Sequence, residues 1–346
     1  MIVVSGYHGY GNLGDEAILA VLCRDLVSLG VSRSDILAVS GDPAYTRKIH
    51  GIEAVDRFAW NQIWEVLGSA RLLISGGGSL FQDVTGKLTI PYYLSFVEMA
   101  LRRKVPVALY GHGIGPIATW LYQKLVARAF RKSAGFTVRD AFSAQFLQQH
   151  GIHVPNGAVA VDPVFQLEGS VPRTRISSPP ILGLNLRPYP QWQAQTAEWV
   201  EILRQLGAAG WELRFLPIGP GDEEMGRTLQ KDVPRLMLIP SLEQENCRDE
   251  LGQLDVFISM RLHGVILGAL SGTVPVGLNY DPKVHAACAQ IGCRCLELVE
   301  LQLLHPTVDD VVQNYALNQT AQAAQLGQLR EYAYRNRDLL KQVLEG

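Results

Sequence analysis

Ile2-Val-Val-Ser5 runs directly into Gly6-Tyr-His-Gly9-Tyr-Gly11-Asn-Leu-Gly14-Asp15-Glu16. A short apolar run bounded by glycines reads as a buried parallel strand, and the segment after it has the spacing of a helix from residue 15 to 29. The turn contains Gly9-x-Gly11-x-x-Gly14, the dinucleotide spacing, in the strand-to-helix context that gives it meaning. Asp15 and Glu16 then fall in the first helical turn. Carboxylates suit the helix dipole there but repel a pyrophosphate seeking the same N–H groups, so the turn argues against a nicotinamide dinucleotide. A glycine turn with an acidic cap explains everything except His8 and Tyr10. An aromatic ring stacks on the C–H face of a sugar and Asn12 can bond hydroxyls, so this turn is expected to face a sugar.

Outward from the turn, the same alternation repeats. Ile36–Ser40, Leu72–Ser75, Val107–Tyr110, Phe136–Val138 and Ala158–Val161 read as strands, with helical spacing near 91–103, 119–132 and 140–149. The region 167–180, rich in Pro, Ser and Arg, has no periodicity and reads as a linker. Alternation restarts at Ile181–Leu186 and continues through Leu213–Leu216, Val256–Ser259 and Val274–Leu278. The expected fold is α/β: two Rossmann-like doubly wound domains, 1–166 and 181–316, joined by linker 167–180. A long amphipathic C-terminal helix over 317–346 is expected to pack on the N-terminal domain.

Composition narrows the function. The chain has 346 residues, 47% apolar and 18% charged, with formal charge −2. That gives no broad basic surface of the kind nucleic-acid binding needs. No run reaches the roughly 18 apolar residues of a membrane helix, and Met1-Ile-Val-Val lacks a signal peptide's basic start, so a cytoplasmic location is expected. Five cysteines, three of them at Cys288, Cys293 and Cys295, suit reduced thiols and match no familiar zinc spacing, so no metal is expected.

In open α/β sheets ligands sit beyond the carboxyl ends of strands, and this chain places its unusual residues there. Ser75-Gly76-Gly77-Gly78-Ser79 offers backbone N–H groups for an anion nest, or simply close packing. Gly111-His112-Gly113-Ile-Gly115-Pro116 repeats the arrangement with a histidine. Thr137-Val138-Arg139-Asp140 ends a strand on an arginine and opens a helix on a capping aspartate. Ser259-Met260-Arg261-Leu262-His263-Gly264 puts a planar fork suited to carboxylate or phosphate beside a residue that moves protons near neutral pH. Lys283, after Asn279-Tyr280-Asp281-Pro282, brings an ammonium to the same edge.

Taken in order, Gly9–Ala17, Ser75–Ser79, Gly111–Pro116, Thr137–Asp140, Val161-Asp-Pro163 and Met260–Gly264 resemble the bacterial polysaccharide pyruvyl transferases, including enzymes that ketalate N-acetylmannosamine in wall polymers anchoring S-layers. The resemblance spans nearly the whole chain. It implies a GT-B-like architecture, phosphoenolpyruvate as donor substrate with no further cofactor, and a polysaccharide or lipid-linked sugar acceptor that brings the protein to the inner membrane face. Donor binding by Arg139, Arg261, His263 and Lys283 follows from it, with His263 and Arg261 catalytic. Tyr10, where the family more often has phenylalanine, joins His8, Asn12 and Asp15 on the acceptor side, and Gly76, Gly77 and Gly78 remain the candidate nest. The donor cations of both halves are expected to face one cleft. A GT-B nucleotide-sugar glycosyltransferase or a non-catalytic sugar-binding protein are the alternatives.

Overall fold

Apolar runs separated by glycine turns become two parallel sheets. The computed structural model describes residues 1–84, 86–239 and 244–346. It divides into one unit of Met1–Tyr10, Asp15–Gln166 and Arg330–Gly346, and another of Gly11–Gly14 with Leu167–Leu329.

The first unit holds strands β1 (Ile2–His8), β2 (Ile36–Ser40), β3 (Glu53–Asp56), β4 (Leu72–Phe81), β5 (Val107–Ile114) and β6 (Gly135–Val138). Helices α1 (Leu13–Ser28), α2 (Pro43–His50), α3 (Trp60–Ser69), α4 (Thr89–Arg102), α5 (Trp120–Lys132) and α6 (Ala141–Gln149) follow them in turn. Strand order is β3-β2-β1-β4-β5-β6, so the winding reverses between β1 and β4. That reversal opens the crevice in which such sheets take ligands. Central strands are buried on both faces, which is why they read as unbroken apolar runs. Edge strand β3 buries only Val55 and escaped the sequence reading for that reason.

Two expectations are corrected here. Ala158–Val161 is no strand; it makes one bridge, Val138 to Val159, because β6 ends at Val138 and the chain turns into α6. The glycine runs expected as loops lie inside lengthened strands, with Gly76 paired to Tyr110 and Gly78 to His112. Missing side chains permit this. A Cβ on Gly77 would stand 2.5 Å from Ile18 of α1, and one on Gly111 would stand 2.6 Å from Pro163.

The second unit repeats the pattern with β7 (Ile181–Asn185), β8 (Glu212–Phe215), β9 (Leu236–Leu238), β10 (Val256–Ser259), β11 (Val274–Asn279) and β12 (Arg294–Glu297). Its helices are α7 (Trp192–Ala208), α8 (Asp222–Asp232), α9 (Gln244–Gly252), α10 (Leu262–Leu270), α11 (Pro282–Ile291) and α12 (Leu304–Gln313). The order β12-β11-β10-β7-β8-β9 again reverses at the first strand, between β7 and β10. Short edge strands β9 and β12, like β3, lacked a readable apolar run.

The last helix, α13 (Tyr315–Glu345), serves both units. Within the second, Gln319 donates to the Gly272 carbonyl and Gln322 to those of Ala269 and Thr273. Within the first, Asn336 accepts from Thr137 Oγ1 at 2.6 Å and donates to the Val161 carbonyl at 3.0 Å. Residues 168–180 form no helix or strand, yet they are fastened within the second unit by fully buried Asp255. Its carboxylate accepts from the Ser177 amide and hydroxyl and from the Ile181 amide, and it pairs with Arg173. Replacing it by alanine strands these donors and the arginine together. Asp255→Ala should lower the unfolding free energy by about 3–5 kcal/mol in a denaturant titration, and a loss below about 1 kcal/mol would contradict the fastening role.

Candidate functional site

Both crevices at the winding reversals carry polar residues, and each is built locally. In the first unit β1 ends on Tyr7 and His8, and Gly9 takes a φ of 77°, the left-handed region that frees it from side-chain strain. The turn is braced by Glu16, whose buried carboxylate accepts from the Gly9 amide at 2.8 Å and lies 2.8 Å from His50 Nε2. Burial pushes the Glu16 carboxyl up, but His50, His8 and the Gly9 amide hold it below the usual range. His8 is itself buried, with neither ring nitrogen hydrogen-bonded among the described residues. Its pKa falls to about 4, chiefly through desolvation, which Glu16 partly offsets.

Tyr10 is locked in place. Its ring stacks on Tyr7 with centroids 4.3 Å apart, and its hydroxyl accepts from Arg57. The Arg57 guanidinium also lies 4.4 Å from the Tyr92 ring centroid and 4.7 Å from that of Phe58. Sequence reading missed Arg57, because nothing in its neighbourhood departs from an ordinary strand-to-helix loop.

Across the reversal, the Gly76–Gly78 run faces α1. Ile18 and Leu22 stand against Gly77 and Gly76, and the Asp15 carboxylate is 3.1 Å from where a Gly78 Cβ would be. A carboxylate in that position disfavours an anion at Gly78. Arg139 belongs to the same unit and is buried, donating to Asp162 at 3.0 Å and to Ser79 at 2.7 Å. Its guanidinium occupies the space that a Cβ on Gly113 would need. His112 is buried beside it, with Nε2 at 3.1 Å from Ser75 Oγ. Desolvation, helped by Arg139 and opposed by a hydrogen bond to Ser75, lowers its pKa to about 3.

In the second unit Ser259, at the end of β10, pairs in register with Asn185 on one side and Gly277 on the other. Everything beyond those three positions leaves from one edge. Arg261 caps α10 and grips Asp222, with Nε 2.8 Å from Oδ2 and one terminal nitrogen 2.5 Å from Oδ1. Asp222 is fully buried and also accepts from Asn185 Nδ2 and from the amides of Ile218 and Gly219. This network fixes the plane of the Arg261 fork. The His263 ring lies against Gly14, where a Cβ would approach Nδ1 to 2.0 Å, and the Leu13 amide donates to the Ile218 carbonyl. Gly11–Gly14, with Asn12 accepting from the Gly14 amide at 3.3 Å, therefore belongs with His263.

Lys283 Nζ sits 3.0 Å from Asp281, the N-cap of α11, and 5.9 Å from the Tyr280 ring centroid. On the same ring lies Arg187, which donates to the Tyr280 hydroxyl at 2.6 Å. Arg187 was readable: a cation directly after an apolar strand is the signal that marked Arg139 and Arg261. Asp222 was not, since Asp222-Glu223-Glu224 looks like an ordinary acidic first turn. No group of three His, Cys, Asp or Glu among the described residues is arranged to hold a metal.

Known proteins agree with this architecture. HepE from Anabaena, solved with UDP-glucose, superposes with a TM-score of 0.62 at 12% identity over 100% of this chain and 99% of that one. A UDP-GlcNAc 2-epimerase from Neisseria meningitidis, bound to UDP-GlcNAc, gives 0.63 at 11% identity over the whole of both chains. These likenesses define a two-domain α/β protein of the GT-B kind. The amylovoran biosynthesis protein AmsJ of Erwinia amylovora is 25% identical over 265 residues, 64% of this chain, which spans 59% of that relative's length. Residues 12–282 match the family model described as polysaccharide pyruvyl transferase, and the chain belongs to that family.

The buried histidines make stability sensitive to acid. His8 and His112 have folded-state pKa values of about 4 and about 3, below an ordinary 6.5, so folding favours their neutral forms. That contribution is complete above pH 6.5 and drains away as pH falls toward 4 and 3. At pH 5 each imidazole should have lost about 2 kcal/mol of its contribution relative to pH 7. Denaturant titrations at the two values check this, and equal stability at pH 7 and pH 5 would contradict it.

Proposed function

We propose that this chain transfers a pyruvyl group from phosphoenolpyruvate to an N-acetylmannosamine-type sugar of a cell-envelope polysaccharide or its lipid-linked precursor, closing a cyclic ketal and releasing phosphate. The observation that carries the reading is the fixed Arg261 fork beside His263 at the carboxyl edge of the second sheet. Membership of the pyruvyl transferase family supports it.

Phosphoenolpyruvate carries a phosphate and a carboxylate on an enol. Its site must neutralise two anions and protonate the methylene carbon. Arg261, held flat by Asp222, takes one anion, and Lys283 with Arg187 at Tyr280 takes the other. His263, as imidazolium, gives its proton to C3, and positive character develops at C2. A first sugar hydroxyl bonds to C2. The C2–O bond to phosphate then breaks, phosphate leaves with the electron pair, and a second hydroxyl, such as O6 after O4, closes a six-membered ketal. Of the two hydroxyl protons, one ends in the new methyl group by way of His263 and the other on the departing phosphate. No electrons enter or leave the reactants.

On the acceptor side, Tyr10 presents a ring already fixed by Tyr7 and Arg57, which avoids an ordering cost when it stacks on a sugar. Asp15 supplies a hydroxyl partner, and buried Glu16 fixes the end of β1 before it through the Gly9 amide. Arg139 joins Ser79, at the end of its unit's glycine run, to Asp162.

Purified full chain incubated with phosphoenolpyruvate and mannosamine-containing acceptors should release inorganic phosphate only when both substrates are present. Release of a nucleoside diphosphate from a nucleotide sugar instead would overturn the reading. His263→Gln should fold normally and lose about 10²–10⁴ in turnover, and wild-type turnover would remove it from the acid's role. Asp222→Asn should raise the KM for phosphoenolpyruvate about tenfold or more through a loosened Arg261, whereas an unchanged KM would show that Asp222 does not position the fork.

A further inference from the structure

Helix α5 has two unlike faces. Val126, Ala127, Ala129 and Phe130 are buried, whereas Trp120 is 64% exposed, Leu121 47% and Leu125 37%. Lys124, Arg131 and Lys132 are exposed among them, and the helix contains four cations, Arg128 included, with no carboxylate. In a chain of net charge −2 this is a local concentration of positive charge, not a general property. Lys124 Nζ lies 4.6 Å from the Trp120 ring centroid. Arg128 pairs with Glu98 of α4, and Arg131 donates to the His150 carbonyl.

A second segment joins this face. Asp83, after β4, accepts from the amides of Ala118 and Thr119 at 2.9 Å each, which ties the entrance of α4 to the start of α5. Beside it Val84 is 71% exposed and Leu88 75%, with Lys87 between them in sequence and also exposed. Five large apolar side chains and several lysines thus come from two connected segments, both following strands at the carboxyl edge of the first sheet.

The chemistry selects the occupant. Protein interfaces are depleted of lysine at their centres, whereas this face interleaves lysine with leucine and sets a tryptophan at its end. That is the composition of a helix lying in the headgroup layer of an anionic bilayer: apolar tips enter the acyl boundary, lysine stems reach back to lipid phosphates, and the amphipathic indole sits at the level of the headgroups. We propose that the outer face of α5, together with Val84 and Leu88, docks on an anionic lipid surface. The proposal extends the reading of a lipid-linked acceptor, but it is tested without donor or acceptor, so the two stand or fall separately.

Full-length protein is sedimented with vesicles of phosphatidylcholine alone or mixed with phosphatidylglycerol, at low and high salt. It should partition onto the anionic vesicles, lose most of that binding at high salt, and stay in solution with the neutral ones. Leu121→Glu combined with Leu125→Glu, and separately Lys124→Glu combined with Lys132→Glu, should each weaken the partition about tenfold or more with unchanged thermal unfolding. Wild-type protein left in the supernatant, variants that bind as well as wild type, or a wild-type dimer that the leucine variant splits would each overturn the proposal. Turnover with a water-soluble acceptor is measured alongside and bears on the proposed function alone.

Discussion

A carboxylate with no solvent around it must find donors for both oxygens, and Asp222 finds them in Asn185, in two backbone amides and in Arg261. A single buried charge thereby ties the ends of β7 and β10 to the start of α8. The second sheet's crevice could not keep its shape if any of these donors were lost, because the charge would then be buried without compensation. The same network explains Gly219, whose missing side chain makes room for the Arg261 guanidinium.

The first unit reaches a comparable result with the signs exchanged. There a buried arginine, Arg139, is the central charge, and Asp162 and Ser79 are its partners. Gly113 stands to Arg139 as Gly219 stands to Arg261, each a glycine because a guanidinium takes the Cβ space. Both units have the same strand order about their first strand; Arg261 follows β10, which borders the reversal, whereas Arg139 follows edge strand β6 and reaches back to Ser79 of β4. Gly77, Gly111, Gly113 and Gly219 of this chain accordingly record the close approach of a neighbouring side chain.

Central strands declared themselves because burial on both faces leaves mostly apolar residues, whereas β3, β9 and β12 sit at edges and look like loops. Arg261, His263 and Lys283 stood out because a cation or imidazole directly after an apolar strand has no packing explanation. Asp222 did not, since its burial depends on Arg261 thirty-nine positions away and nothing local distinguishes it from a solvated first-turn acid. Glu16 has the sequence position of a helix cap but is buried against His50, a residue brought to it by α2. The triple glycine has the composition of a loop yet continues β4 under α1, because sequence marks where side chains are absent without saying what fills the space.

The central claim is that the carboxyl edge of the second sheet holds a small enol phosphate through its two anionic groups. Calorimetric titration of the full chain with phosphoenolpyruvate, with no acceptor present, tests it most directly when wild type is compared with Lys283→Met, a change at a partly exposed side chain that leaves the core intact. The account predicts saturable one-to-one binding, weakened about tenfold in the variant, the equivalent of about 1.4 kcal/mol. No measurable binding to the wild type, or equal affinity in the two proteins, would contradict it.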